Sequence, residues 1–235
     1  MYHEIAEKLL QAIQSGEYQT KLPTEQALMK QFNVSRNTIR RAIDVVYQHG
    51  LLRRVQGSGY YINNVQLQGS MTINLSIGSG KSLAKRGPLN SKVVTFDRVQ
   101  ASEIPLAQTM KIPDDTELWR IIRLRYFNSV LYCLEEAYYL RDQIPFISTD
   151  ALDDSIFDFI KETYDIDPES SDDFLSLSTL GPDKADLMNL AAGTSLLTLA
   201  QINYTRNNVV FNFSQTVYSY PGLDFYFHSA HLSSN

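Results

Sequence analysis

Arg123 and Arg125 stand two apart in the run "LWRIIRLRYF", whose β-branched and aromatic content marks a strand. Residues i and i+2 of a strand project to the same side, so two guanidiniums share one face. Adjacent cations in a concave site repel each other until an anion arrives, and the planar fork of arginine fits phosphate or carboxylate. Ser155 precedes the helical stretch "IFDFIKETY", where its hydroxyl caps the helix and the free amides suit the same anion. A second basic group, Arg36, Arg40 and Arg41 with Asn37 and Thr38, falls in the first turn and a half of another expected helix. Arginine there can grip guanine edges bidentately, while Thr38 and helix-end amides hold phosphates. A third candidate is "IGSGKS", in which Gly80, Lys81 and Ser82 match the end of a phosphate-binding P-loop. That pattern needs an earlier glycine where Leu75 stands. The match is partial, which leaves the loop as a clamp for a small anion or as a solvated connection.

Composition narrows the partners. The formal charge of −5 hides an asymmetry: residues 1–64 carry eight Lys/Arg against five acids, and the remainder 13 against 21. A basic head on an acidic body suggests that only the head meets a polyanion. No apolar stretch approaches spanning length, "MYHEIAEKLL" lacks a signal-peptide pattern, and the single Cys133 makes no intrachain disulfide. A reducing cytoplasm is the expected compartment. His228 and His231 are three apart on an expected strand and face opposite sides, so no metal site is implied. No cofactor is implied either, and no nucleophile–base pair is legible.

Periodicity divides the chain. Ile5, Leu9 and Ile13 recur at helical spacing before Gly16. Thr24 is placed to cap a second helix with Ala27, Leu28 and Phe32 inward, and Ser35 a third with Ile39, Ala42, Ile43 and Val46 inward, ending at Gly50. "LLRRVQGSGYYI" then reads as a hairpin tipped by Gly57, Ser58 and Gly59. Three helices and a Gly-tipped hairpin make a winged helix-turn-helix over residues 1–64, whose wing can approach a sugar–phosphate chain with little bulk. Residues 65–70 read as a linker and 71–235 as a second domain. "MTINLSI" alternates as a half-buried strand; further strands are expected at 92–99, 117–127, 130–140, 172–180, 195–206, 209–219 and 223–231, and helices at 103–110, 155–163 and 183–190. Asn128-Ser129 and Asn207-Asn208 read as two-residue hairpin turns. The fold class is α+β with a mostly antiparallel sheet. The segments 92–140 and 172–219 share one order of elements, as a duplicated unit would.

The stretch "LPTEQALMKQFNVSRNTIRRAIDVVYQHGLLRRVQGSGYYI" resembles the DNA-binding domain of GntR-family transcription regulators. Their pattern runs L-P-[ST]-E-R-x-L, then S-R-x-T-V-R-x-A, then G-L-x-x-x-x-G-x-G. The resemblance implies DNA contacts among Thr24, Gln26, Ser35, Arg36, Asn37, Thr38, Arg40, Arg41, Gly57, Ser58 and Gly59. Gln26 departs from the arginine that commonly follows the glutamate. The rest, through "KRGPLNSKVVTF", "LEEAYYL", "DDSIFDFIKETYDI" and "VVFNFSQTVY", is similar to the effector-binding UTRA domain of the HutC subgroup. Such domains resemble chorismate lyase in fold and bind small effectors, frequently phosphorylated sugars. The resemblance implies an effector site of Gly80, Lys81, Ser82, Arg123, Arg125, Glu135, Tyr138, Ser155, Asn212 and Tyr218. A strict two-residue turn at Asn128-Ser129 would instead bring Glu136 to the arginine face; a bulge would restore Glu135. Asn212 replaces a carboxylate seen in amino-sugar-binding relatives, which argues against a cationic amino group on the ligand.

The expected protein is therefore a homodimeric regulator, most often a repressor in this group, that binds a palindromic operator and answers to a small anionic effector. The alternative is an enzyme of chorismate-lyase-like fold using Arg123, Arg125 and Glu135 on a carboxylate, with an accessory head.

Overall fold

The computed structural model describes residues 1–63, 71–75, 83 and 86–229. The head begins with α1 (Tyr2–Ser15), which buries Ile5, Ala6, Leu9 and Ala12, and Gly16 ends it at φ 80°. Thr24 Oγ1 accepts from Ala27 N to start α2 (Glu25–Phe32), and Asn33 closes it in the left-handed region. Ser35 Oγ accepts from Thr38 N to start α3 (Arg36–Gln48). These caps satisfy amides that a helix start leaves without intrahelical partners. Strands β1 (Leu52–Val55) and β2 (Gly59–Ile62) pair as the wing. Leu9, Leu28, Ile39, Ile43, Val46 and Leu52 form the sealed core of the head. Ala27 was expected in that core and is exposed. The helix is only eight residues long and buries a narrow stripe, Leu28 with parts of Met29 and Phe32.

Two further strands, β3 (Met71–Asn74) and β10 (Leu223–Tyr226), pair in parallel and belong to the same compact unit as the head. All four residues of β3 are buried, so its alternation does not mark a solvated face. Asn74 Nδ2 donates to His49 O at 2.9 Å, while Tyr226 Oη and Asn63 Nδ2 donate to Gly50 O at 3.3 and 2.9 Å. The last carbonyls after α3 are thereby satisfied by these two strands and by Asn63, which follows the wing. Gly50, at φ 70°, is where this happens, and a Cβ there would lie 2.7 Å from both His228 Cβ and Tyr226 Oη.

Residues Gly87–Pro221 form the second unit. It is a six-stranded antiparallel sheet in the order β4-β5-β6-β9-β8-β7: β4 (Leu89–Gln100), β5 (Glu117–Phe127), β6 (Val130–Leu140), β7 (Ser170–Thr179), β8 (Ser195–Tyr204) and β9 (Val210–Tyr218). The order is symmetric about the β6–β9 junction. Each half reads strand, helix, strand, strand, with α4 (Pro105–Thr109) in the first and α7 (Pro182–Met188) in the second. These helices cover one face, over Leu118, Leu140, Phe213 and over Leu124, Leu134, Val217. The other face carries α5 (Thr149–Asp153) and α6 (Ile156–Tyr164), packed on Trp119, Ile121, Ala137, Tyr139 and Phe211. Helix α5, capped by Ser148, was not anticipated. Asn128 and Ser129 both take positive φ, as a two-residue primed turn requires. The second hairpin differs. Thr205 N donates to Val209 O, and of Asn207 and Asn208 only Asn208 has positive φ, so the loop spans three residues.

Gly50→Ala is expected to lose about 2–4 kcal/mol, from left-handed backbone strain and overpacking against Tyr226 and His228. Urea unfolding of the variant, followed by tryptophan-independent far-UV CD, reads this loss.

Candidate functional site

On α3 the buried residues Ile39, Ala42, Ile43 and Val46 turn the opposite side, with Asn37 and Arg41, to solvent. Arg36 and Arg40 lie one turn apart on the flank toward α2, where both meet Glu25. Arg36 Nε donates to Glu25 Oε2 at 2.6 Å, and Arg40 Nε to Oε1 and Oε2 at 3.1 and 3.2 Å. Burial pushes the Glu25 carboxyl up, but the hydrogen bonds and charges of Arg36 and Arg40 outweigh it and hold it low. The carboxylate thus fans two guanidiniums along the outer flank of the helix. Arg41 lies over the Tyr2 ring, 6.0 Å from its centroid. Thr24, Gln26, Ser35 and Thr38 stand at the starts of α2 and α3, with Thr24 and Ser35 spent as caps and Gln26 exposed. At the wing tip Gly57 and Gly59 take φ 72° and 118°, and Ser58 Oγ shares a 2.6 Å hydrogen bond with Tyr61 Oη. Lys21, 5.1 Å from the Tyr61 ring centroid, adds a cation beside it. Glu25 stands in the first turn of α2, and its proximity to Arg36 and Arg40 is tertiary, so no local spacing signals it.

In the second unit the β5–β6 ladder decides which groups meet. Phe127 faces Val130 and Tyr126 faces Leu131, then the register shifts so that Arg125 faces Cys133 and Arg123 faces Glu135. Tyr132 is the extra residue. The bulge brings Glu135 to the arginine face and sends Glu136 to the other. There Glu136 meets Lys184 Nζ at 2.8 Å and accepts from the Tyr138 hydroxyl. Tyr138 therefore lies on the face opposite Arg123 and Arg125, stacked on Phe213.

The two arginines differ. Arg123 is 3% exposed. Its Nε and Nη2 donate to Glu135 Oε2 at 2.9 and 2.6 Å, and its Nη1 to Leu152 O and Asp154 O at 2.9 and 3.2 Å. Burial pushes the Glu135 carboxyl up, and the charges of Arg123 and Arg125 with the hydrogen bond pull it below the ordinary carboxylate range. The expectation of two mutually repelling cations is corrected for Arg123: an internal carboxylate neutralises it, and it ties the sheet to the α5–α6 joint. Arg125 is half-buried, and its Nε is buried with no hydrogen bond among the described residues. Directly opposite on β4 stands Ser91, whose Oγ is in the same condition. The row continues through Cys133 to Tyr218. Burial raises both the Cys133 thiol and the Tyr218 hydroxyl, so each is protonated at neutral pH.

Ser155 Oγ caps α6 by accepting from Asp158 N at 3.2 Å, one residue beyond the Asp154 carbonyl that holds Arg123. Asn212 is 1% exposed. Its Nδ2 donates to Tyr138 O and Phe213 O, and its Oδ1 accepts from Asn203 at 2.8 Å, so its amide is engaged within the sheet. Gly80, Lys81 and Ser82 lie outside the described residues. Ser91 is the member that sequence reasoning missed; its place inside "KRGPLNSKVVTF" beside a strand start was the available signal.

Residues 1–62 match the gntR family of bacterial regulatory proteins, and residues 85–220 match the UTRA domain. The chain belongs to the GntR family, with the domain combination of its HutC subfamily. It is 29% identical over 226 residues to the HTH-type transcriptional regulator YydK of Bacillus subtilis, covering 95% of each chain. The crystal structure of YydK superposes with a TM-score of 0.73 at 27% identity, covering 97% of this chain and 99% of that one. The Escherichia coli repressor of the mannosyl-D-glycerate transport/metabolism system, MngR, is 24% identical over 221 residues, 93% of this chain and 91% of its own. The Bacillus subtilis repressor NagR is 23% identical over 220 residues, 93% and 90%. The architecture is the winged helix-turn-helix and antiparallel α+β module of this family, and the protein is a DNA-binding transcriptional regulator with an effector-binding domain, not an enzyme. No helix among the described residues is long and apolar enough to cross a membrane.

Glu135→Gln leaves the Arg123 charge buried against a neutral partner and is expected to cost about 3–5 kcal/mol at neutral pH. The Glu135 carboxyl is held low in the fold, so its stabilisation is present above its unfolded value of about 4.3 and is lost as pH falls through the lower folded value. Denaturant titrations from pH 7 downward should show wild type and variant converging only in acid.

Proposed function

We propose that the protein is a homodimeric repressor that grips a palindromic operator through α3 and the wing, and releases it when a phosphorylated sugar binds the arginine face of the sheet. The observation that carries the reading is the pair of unmet polar atoms, Arg125 Nε and Ser91 Oγ, facing each other on β5 and β4. A buried donor and a buried hydroxyl without partners cost stability unless a ligand completes them. A phosphoryl oxygen accepts from a guanidinium and from a hydroxyl at once. The neutral hydroxyl of Tyr218 and the cap of α6 at Ser155 supply further donors for an anion. Glu135, held by Arg123, remains an acceptor for sugar hydroxyls. MngR acts on a system for a glycosylated acid, which fits a sugar-derived anion as the effector class here.

Operator binding uses Arg36, Asn37, Arg40 and Arg41 in the major groove, with Gly57, Ser58 and Gly59 at the backbone. Two-fold protein symmetry matches two half-sites. Coupling runs through β3 and β10, which hold the His49 and Gly50 carbonyls at the end of α3. A difference of about 1–3 kcal/mol between the free and liganded head arrangements suffices for the switch.

A panel of sugar phosphates is expected to raise the melting temperature of wild type and to lower its operator affinity. A ligand at a hundred times its Kd contributes about 2.7 kcal/mol. Arg125→Ala should lose the thermal shift while still binding operator. Arg40→Ala should keep the shift and bind operator roughly five- to 150-fold more weakly, the effect of losing roughly 1–3 kcal/mol of base contact. An Arg125→Ala protein that kept the full shift would remove the arginine row as the effector site.

A further inference from the structure

We propose that the outward face of the wing is a clamp for the DNA backbone, built on the row Lys21–Tyr61–Arg53. The inference rests on DNA binding by the head and holds whatever the effector is. Lys21 lies outside the hairpin, yet it is part of the same sheet. It bridges to Tyr61 as an antiparallel partner, with Leu22 N donating to Tyr60 O and Ile62 N to Thr20 O, both at 2.9 Å. Tyr61 in turn faces Arg53 across β1 and β2. Directly paired residues project to one side, and the neighbours Leu22, Leu52 and Ile62 are all buried in the core of the head. Lys21, Tyr61 and Arg53 therefore form one cross-strand row on the side away from that core.

The charge of this row is not answered from within. Residues 18–24 and 50–64 hold Lys21, Arg53 and Arg54 and no acid. Lys21 and Arg53 are exposed. Among the described residues neither makes an ion pair, whereas Arg36 and Arg40 on α3 share Glu25. Tyr61 is the aromatic between the two cations, with Lys21 Nζ 5.1 Å from its ring centroid. Ser58 Oγ and Tyr61 Oη share one hydrogen bond of 2.6 Å, so whichever donates, the other keeps its hydrogen for an outside acceptor. A phosphate at this row meets two cations and a hydroxyl donor, the kind of group that backbone contacts use.

The two glycines of the tip divide accordingly. A Cβ on Gly57 would meet nothing within 4 Å, and this residue serves the turn at φ 72°. A Cβ on Gly59 would lie 3.2 Å from Lys21 Cε and 3.8 Å from its Nζ. Gly59 thus leaves the space in which the Lys21 stem lies along the wing. Position fits as well. Lys21 is three residues before Thr24, the cap of α2, a span of at most about 11 Å. Glu25, next to that cap, contacts both Arg36 and Arg40. The clamp therefore flanks the helix starts through which the head is proposed to read bases, and adds a sequence-independent grip beside them.

The test measures the salt dependence of binding by the full chain to two probes. One is a mixed-sequence DNA duplex, the other the duplex that wild type enriches from a random library. Lys21→Gln keeps the stem against Gly59 and removes the charge, Arg53→Gln does the same on β1, and Lys21→Arg restores the charge. Each neutralised phosphate contributes about −0.9 to the slope of log affinity against log salt. Each Gln variant should therefore make the slope shallower by roughly one on both probes. Its deficit relative to wild type then shrinks about 3.5-fold between roughly 50 and 200 mM salt. Lys21→Arg should keep the wild-type slope, as should Lys92→Gln, an exposed position on β4 that controls for net charge. A wild-type slope in either Lys21→Gln or Arg53→Gln overturns the row as a unit. So does a loss confined to the enriched duplex, which marks a base contact instead. If wild type binds neither probe, DNA binding by the head fails and the clamp with it.

Discussion

One residue too many in β6 fixes what the second domain can present. The primed turn at Asn128 and Ser129 would, carried on regularly, set Leu134 against Arg123 and Tyr132 against Arg125. The bulge at Tyr132 shifts the ladder by one and sets Glu135 and Cys133 there instead. Because side chains alternate with period two, that single insertion exchanges the two faces of β6 for the rest of its length. A carboxylate comes to the arginine face, and Glu136 with Tyr138 goes to the side covered by α4 and α7. The extra residue is itself held: Tyr132 is buried, with its ring edge-on to Tyr218 at 5.4 Å and near Tyr220 at 6.3 Å.

With the register set this way, the arginine pair divides its labour. Arg123 serves the fold, neutralised by Glu135 and bonded to the carbonyls of Leu152 and Asp154, so that the turn carrying Ser155 is fixed against the sheet. Arg125 has no such tie: among the described residues its Nε–H is unmet, and so is the hydroxyl of Ser91 across the β4–β5 ladder. A buried ion pair alone is poor evidence of stabilisation. Here it ties the chain just before α6 to the sheet through the Leu152 and Asp154 carbonyls, which is a geometric role that a hydrophobic replacement would not reproduce.

The head was legible in the sequence because its signals are local. Thr24 and Ser35 act within three residues of themselves as caps, Gly16 ends a helix by its own backbone, and the apolar stripe of α3 follows helical spacing. Most strands of the sheet were legible for the same reason, from alternation and a primed turn at Asn128-Ser129. What escaped depends on contacts distant in sequence. The bulge could be posed as a question but not answered, since the turn residues are identical in both registers. Tyr138 could not be assigned a face until that question was closed. Ser91 meets Arg125 only through the β4 register, and β3 reads as half-buried until β10, some 150 residues later, packs beside it. The resemblance alone marks Asn212 as an effector contact, and the engagement of its amide by Tyr138 O, Phe213 O and Asn203 is not visible in the sequence.

The chain uses arginine–glutamate pairing twice, and burial gives the two cases opposite meanings. At Glu25 the arginines are mostly exposed, with side-chain accessibilities of 65% for Arg36 and 51% for Arg40. Pairs of that kind contribute at most about 1 kcal/mol each and are screened by salt. They orient the guanidiniums along α3 without locking them, so phosphates or base edges can compete for the same donors. At Glu135 the arginine side chain is 4% exposed and the carboxylate 16%. Separating that pair would strand a charge out of water, so no external anion displaces it at comparable cost. The same two side-chain types thus make a releasable pairing on the head and a permanent joint in the sheet, while Arg125, two residues along the same strand face, keeps a buried Nε–H with no hydrogen bond among the described residues.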